Sequence, residues 1–490
     1  MILALLAACA GGDTVDTGTP DTADTAVDTD APADDGTWAI VGGAKVDGLG
    51  NAVIAEDLDG DAQADLLVAA YLGNRVCLVR GPLAPGLQGV DTVGTCLSGE
   101  VDTDYAGYGI AAVGDLDGDG IPEAAVGSIG YSPTEAPYVG KVYLLPGTWA
   151  ASGSGATLAS VATATLLGET AGDYAGLSIA PGGDLTGDGL PDLVVGASGF
   201  DGEATAGAGG GRAYIVAGPL VGEGALADAW GSITGLGAVA APEGPPADGA
   251  PPPHGSFGVG DFVGDALAGP GDFDGDGATD LALGASGDAT LGANTGKAIV
   301  WFGPLQPGAG GVLDADVTLT GPAANGYAGS PLRALPDLDG DGRDELLVSG
   351  DGLGVVWIVS PSAAGTFSLA DAPIRIEGRD VDDTFGAAVA FGELDGDGLL
   401  DLLIGAPSGG TDAVASGMTH AVLGGFTPGV HPLGDTTFYG VGLGDGFGRA
   451  VAVGDLDGDG RADLVTGAPA SDVDTVSFSG GVWIAASPWE

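Results

Sequence analysis

The chain has 490 residues, with 68 acidic against 12 basic side chains and a formal net charge of −56, yet 44% of it is hydrophobic. That charge is repelled by nucleic acid and by anionic membrane surfaces, which excludes both as partners. The apolar fraction equally excludes a solvated acidic tail, and the 97 glycines and 30 prolines point to many short strands joined by tight turns.

In chain order, residues 1–9 come first as a short apolar stretch, "MILALLAAC". Leu6-Ala7-Ala8-Cys9 matches the lipobox of bacterial lipoprotein signal peptides, although no basic residue precedes it. The resemblance implies that Cys9 is lipidated and that the protein is exported to a bacterial outer membrane or cell surface. Residues 10–36 carry eight aspartates, repeated threonines and no basic residue. Such a segment cannot bury a core and reads as an extended, self-repelling tether. No other stretch is long and apolar enough to span a bilayer, so membrane contact is expected only through Cys9.

The remaining residues, 37–490, read as one repeated domain. Its first run, "TWAIVGG" (37–43), looks like the last strand of a unit whose other strands lie elsewhere. Two further cysteines, Cys77 in "NRVCLVRG" and Cys96 in "GTCLSGE", sit in strand-like runs on either side of a turn. An exported chain favours a disulfide between them, with two free buried thiols as the alternative.

One acidic loop then recurs seven times, at start-to-start spacings of 58, 69, 88, 65, 56 and 62 residues. Loop positions 1, 3, 5 and 9 are Asp57, Asp59, Asp61 and Asp65; Asp115, Asp117, Asp119 and Glu123; and Asp184, Thr186, Asp188 and Asp192. They are followed by Asp272, Asp274, Asp276 and Asp280; then Asp337, Asp339, Asp341 and Glu345. The last two sets are Glu393, Asp395, Asp397 and Asp401, and Asp455, Asp457, Asp459 and Asp463. Carboxylates this close repel one another unless a cation lies between them. Alternating oxygen donors suit calcium, whereas zinc and copper want nitrogen or sulfur and magnesium keeps more water. Up to seven calcium sites are expected, the first the weakest, because Ala62 stands where the other loops have glycine at position 6. The site closes at position 9 and is flanked by strands, which distinguishes it from an EF-hand.

Each unit repeats outside the loop as well. Short runs such as "LVVGAS", "LALGAS" and "LLIGAP" follow it, then "RAYIVAGP" or "KAIVWFGP", then "VTLTG" or "IRIEG". Runs of four to seven residues rich in valine, leucine and isoleucine are strands rather than helices. The expectation is an all-β, seven-bladed propeller of four-stranded antiparallel blades, closed by the N-terminal strand completing the seventh.

With Phe385-Gly386, Phe447-Gly448, the "GAP" of 405–407 and 467–469 and the acidic loops between them, residues 37–490 resemble the FG-GAP repeat family, which includes the integrin α propellers. The resemblance implies extracellular binding of a protein or glycan, as in adhesion, by a monomer. Strand alternation puts the long insertions 199–211 and 235–258, and the 130–140 loop with Tyr131 and Tyr138, on the face opposite the acidic loops. His254 and Phe257 are candidate ligand contacts there. The alternatives are a lectin-like polysaccharide binder and, less favoured, a polysaccharide hydrolase or lyase. The three histidines fall in separate segments outside any nucleophile or metal motif, so no catalysis and no catalytic residue is expected.

Overall fold

A computed structural model describes residues 37–43, 47–133, 137–201, 210–236, 261–380, 383–410, 415–433, 436–440, 442–472 and 479–487. The segments assigned to the signal remnant and tether, with Cys9, lie outside these residues, as do His254 and Phe257. Among the described residues no helix is long and apolar enough to cross a membrane.

Among the described residues seven sheets, each with an antiparallel four-stranded core, follow one another round a central axis. The innermost strands are Leu49–Glu56, Ala106–Gly114, Ile179–Gly183, Leu267–Gly271, Leu332–Leu335, Ala388–Gly392 and Ala450–Gly454. The second strand of every blade is six residues long and buried throughout: Asp65–Ala70, Glu123–Ser128, Asp192–Ala197, Asp280–Ala285, Glu345–Gly350, Asp401–Ala406 and Asp463–Ala468. These strands are packed by neighbouring blades on both faces, which is why they read as continuous apolar runs rather than alternating ones. The core is therefore divided between blades. One cluster, for example, joins Leu193, Val195 and Tyr214 of blade 3 to Ala125, Val142 and Leu144 of blade 2.

Two expected features of the architecture are corrected. Among the described residues five of the seven sheets have five strands, and blades 1 and 6 have four. The extra strand comes from the following blade, whose connection between strands 3 and 4 lies parallel to the outer edge of the blade before it. Gly222–Ala225 pairs with Ala164–Leu167 in this way, and Gly308–Gly311 with Gly231–Thr234. Nor does the N-terminal strand close a sheet. Thr37–Val41 is antiparallel to Gly481–Ala485, but Leu87–Gly89 pairs on its other side, so it is an interior strand of blade 7.

The glycine of each "GA" turn has a packing reason. A Cβ on Gly405 would lie 2.0 Å from the Gly448 carbonyl oxygen of the next blade, and one on Gly467 would lie 2.0 Å from that of Gly50. The Phe-Gly and Gly-Ala-Pro signatures are thus two halves of one joint between adjacent blades, repeated from blade 7 to blade 1. Cys77 and Cys96 are directly opposed on adjacent strands of blade 1 and form a disulfide.

Candidate metal centres and the opposite face

Each acidic loop leaves the inner strand, turns, and enters the buried second strand at its position-9 carboxylate. The turn is built by its own side chains. The position-1 carboxylate accepts backbone N–H groups from positions 4 and 6, as in Gly118 and Gly120 to Asp115 at 2.8 and 3.0 Å. The position-5 carboxylate accepts from position 7, as in Arg461 to Asp459 at 2.8 Å. Position 6 is left-handed in order to close this ring of bonds, with φ of 88° at Gly120 and 89° at Gly460. Ala62 is held in the same region at φ 67°, a strained conformation for a residue with a Cβ. Ala62→Gly is expected to stabilise the protein by about 1 kcal/mol, measured as a shift in denaturant midpoint.

Position 9 has a second task. Asp280 accepts the Phe273 N–H at 2.7 Å within the loop and the Gly303 N–H at 2.7 Å beyond strand 3. Asp401 does the same for Leu394 and Gly424. Burial, reinforced by the neighbouring loop carboxylates, pushes these groups up: Asp65 and Asp280 to about 6, Glu123 and Asp463 to about 7. A buried carboxylate facing other carboxylates is held towards its protonated form until positive charge is supplied.

Carboxylate oxygens converge accordingly. Asp115, Asp117, Asp119 and Glu123 offer oxygens all within 4.8 Å of one another, as do Asp57, Asp59 and Asp61; Asp272, Asp274 and Asp276; Asp337, Asp339 and Glu345; and Glu393, Asp395 and Asp401. Glu123 Oε1 is buried and without a hydrogen-bond partner, as expected of an oxygen built to face an ion. This all-oxygen donor set fits calcium. In the first loop the guanidinium of Arg80 lies 3.2 Å from Asp59, so a fixed cation already occupies part of the field that an ion would feel. In the third loop the Thr186 hydroxyl donates to Asp192 at 3.5 Å, while Asp188 accepts from Leu190 at 2.9 Å and Asp184 from Gly189 at 2.9 Å.

Two residues that sequence reasoning missed tie adjacent loops together. The Asp344 carboxylate accepts the Asp272 N–H at 2.9 Å, and Arg343 Nε donates to the Asp274 carbonyl at 3.2 Å. Their positions in the repeat carry no ligand signature.

Across the disc, the loops that enter the inner strands of blades 2–5 share a strained aromatic position. Tyr105, Tyr174, Phe262 and Tyr327 have φ of 52°, 54°, 54° and 49°, each two residues before a glycine. Bulky residues adopt this conformation only where their surroundings enforce it. At Tyr105 and Tyr174 the preceding aspartate supplies the enforcement: Asp104 accepts the Glu100 and Val101 N–H groups at 2.7 and 2.9 Å, and Asp173 that of Thr170 at 2.6 Å. Tyr71, Tyr105, Tyr108, Tyr138 and Tyr174 pack together over blades 1–3, with the Tyr71 and Tyr108 rings 5.5 Å apart and those of Tyr138 and Tyr174 5.3 Å apart. Beside them lie Lys141 with Glu100 at 2.6 Å and Arg212 with Glu169 at 2.8 Å, the Arg212 guanidinium 3.6 Å from the centre of the Phe200 ring. Tyr131 stacks under Lys141, 4.7 Å from its ammonium.

The described histidines do not form a site. His420 is buried in blade 6, its Nδ1 3.0 Å from the Thr437 hydroxyl, and burial lowers it to about 4. The unfolded side chain titrates near 6.5, so as pH falls from there to about 4 the unfolded chain takes up a proton that the folded one refuses. Stability from this group is full above that window and falls by about 3 kcal/mol across it. His420→Gln is expected to flatten that part of the pH profile in equilibrium unfolding.

Comparison with known proteins agrees with this geometry. The FG-GAP repeat profile matches residues 175–216, 385–421 and 447–484, which fall in blades 3, 6 and 7. A phosphatidylinositol-glycan-specific phospholipase D of Dictyostelium discoideum is 28% identical over 181 residues, 31% of this chain and 19% of that protein. The chain therefore spans about a fifth of that relative's length. With seven sheets in a ring and the profile matching three of them, this chain is an FG-GAP repeat-containing, seven-bladed β-propeller.

Proposed function

We propose that this propeller is an exported, calcium-stabilised interaction module, lipid-anchored at Cys9, that binds an extracellular protein or glycan with the face opposite its acidic loops. It acts by binding and not by catalysis. The observation that carries this reading is the tyrosine cluster on that face, with Tyr105, Tyr138 and Tyr174 at positive φ and the first and last of these beside buried aspartates. Strain retained in several consecutive blades supports a surface whose shape is kept for a purpose, on loops borne by a rigid scaffold. Calcium bound by the four loop carboxylates would neutralise their repulsion and fix the loops across the disc. The same tyrosines favour polysaccharide as the ligand within this reading, because amphipathic rings suit sugar faces.

The test is capture on immobilised, calcium-loaded propeller, with surface-protein extracts and a glycan array as probes. Tyr105→Ala and Tyr138→Ala are expected to weaken capture at least tenfold, while Asp457→Ala in saturating calcium leaves it unchanged. Capture that follows Asp457 and ignores the tyrosines would place the binding face on the other side. Membrane fractionation of cells expressing the Cys9→Ser variant tests the anchor: release into the soluble fraction is expected.

A further inference from the structure

The seven inner strands surround an axial channel with a cavity of about 450 Å3. Its middle layer is formed by the residue four positions before each acidic loop: Val53, Ala111, Ala180, Ala268, Val389 and Val451, with Arg333 in blade 5. Six blades thus present small apolar groups, and the fifth presents a cation. Arg333 Nε donates to the Val389 carbonyl at 3.1 Å and Nη1 to the Leu332 carbonyl at 2.8 Å. A guanidinium has five N–H donors, so most of its donors are left over. No carboxylate lies within ion-pair distance of it among the described residues, and the channel walls hold its pKa below the usual arginine value. The other titratable lining residue, Glu56, makes no ion pair with it. The inner strands of blades 5 and 6 also lie less close than those of the other neighbouring blades, and the arginine side chain crosses that gap to Val389.

A half-buried charge without a counter-ion is costly, and an arginine presents a planar fork matched to a carboxylate. The size of the cavity is that of ordinary small-molecule sites. One fixed cation is neutralised by one negative charge, whereas a dianion would leave an uncompensated charge among valines and alanines. We propose that the axial channel binds a small organic monocarboxylate, its carboxylate on the Arg333 guanidinium and its apolar body against the channel wall. The site is separate from the acidic loops and from the tyrosine face.

Benzoate and hexanoate, titrated calorimetrically into the calcium-loaded protein, test this directly. One site is expected to take up at least one of them, with sodium sulfate and benzyl alcohol failing to bind. Arg333→Met should abolish uptake while leaving the unliganded thermal midpoint equal to or above that of the wild type. Arg333→Lys keeps the charge without the fork and should weaken uptake at least fivefold, which serves as the readout if the methionine variant does not fold. Absence of uptake of either acid by the wild type at 10 mM (about tenfold above a 1 mM dissociation constant), uptake unchanged in both variants, or equal uptake of sulfate would each overturn the proposal.

Discussion

Removing divalent cations with EGTA is expected to lower the thermal midpoint by more than about 10 °C, with recovery in millimolar calcium but not in magnesium. A single site at a hundredfold excess of ion over its dissociation constant contributes about 2.7 kcal/mol. Three or four such sites already approach the whole stability of an ordinary domain, about 5–15 kcal/mol. The loops also explain why loss of the ion acts beyond the turn itself. Their position-9 carboxylates begin the buried second strands, so repulsion in the loop is applied at the core: Asp65, Glu123, Asp192, Asp280 and Asp401 have no exposed surface. A midpoint that does not move in EGTA would remove the structural role of calcium.

Within one loop, two carboxylates should behave differently. Asp280→Ala removes the acceptor of the Phe273 and Gly303 N–H groups as well as a proposed metal ligand. It should therefore destabilise the protein by about 3 kcal/mol even in EGTA, since unsatisfied buried donors cost about 1–3 kcal/mol each. Asp274→Ala removes a proposed ligand that otherwise accepts only an exposed N–H, that of Asp276 at 3.0 Å. Its effect should appear in calcium and nearly vanish in EGTA. Chemical denaturation of both variants with and without chelator separates the two cases. Equal losses in EGTA would mean that position 9 has no clip function of its own.

The blade count was legible because the acidic loop declares itself in side-chain chemistry, and its repetition carries the phase of every strand around it. The buried second strands could be read for the same reason, being apolar runs of constant length after Asp65, Glu123 and their equivalents. The fifth strands were not legible. Gly222–Ala225 and Gly308–Gly311 read "GEGA" and "GAGG", with no β-branched or aromatic residue, and they pair through backbone alone. The aromatic face was only partly legible. Tyr131 and Tyr138 were placed on it by strand alternation, but Tyr105 and Tyr174 look like ordinary strand residues until their dihedrals are known. Arg333 gave no signal in sequence, because its meaning depends on which side chains the ring brings level with it.

The borrowed fifth strand has a mechanical consequence. Each such strand clasps the blade before it, so the ring resists opening at five of its sheets by backbone pairing as well as by packing. Among the described residues blade 1 keeps a single parallel bridge of this kind, Ser98 with Thr157, and blade 6 has no such clasp. The blade that would provide it has no covalent connection between its third and fourth strands, since Gly481–Ala485 and Thr37–Val41 come from opposite ends of the chain. Tension applied along Thr37–Val41 from the N-terminal side would load its five register pairs with Gly481–Ala485 together, in shear. On its other flank Leu87–Gly89 would share that load and pass it directly to blade 1. The seam between the chain ends is thus built to bear a pull, whereas the outer edge of blade 6 is where an opening ring would first part.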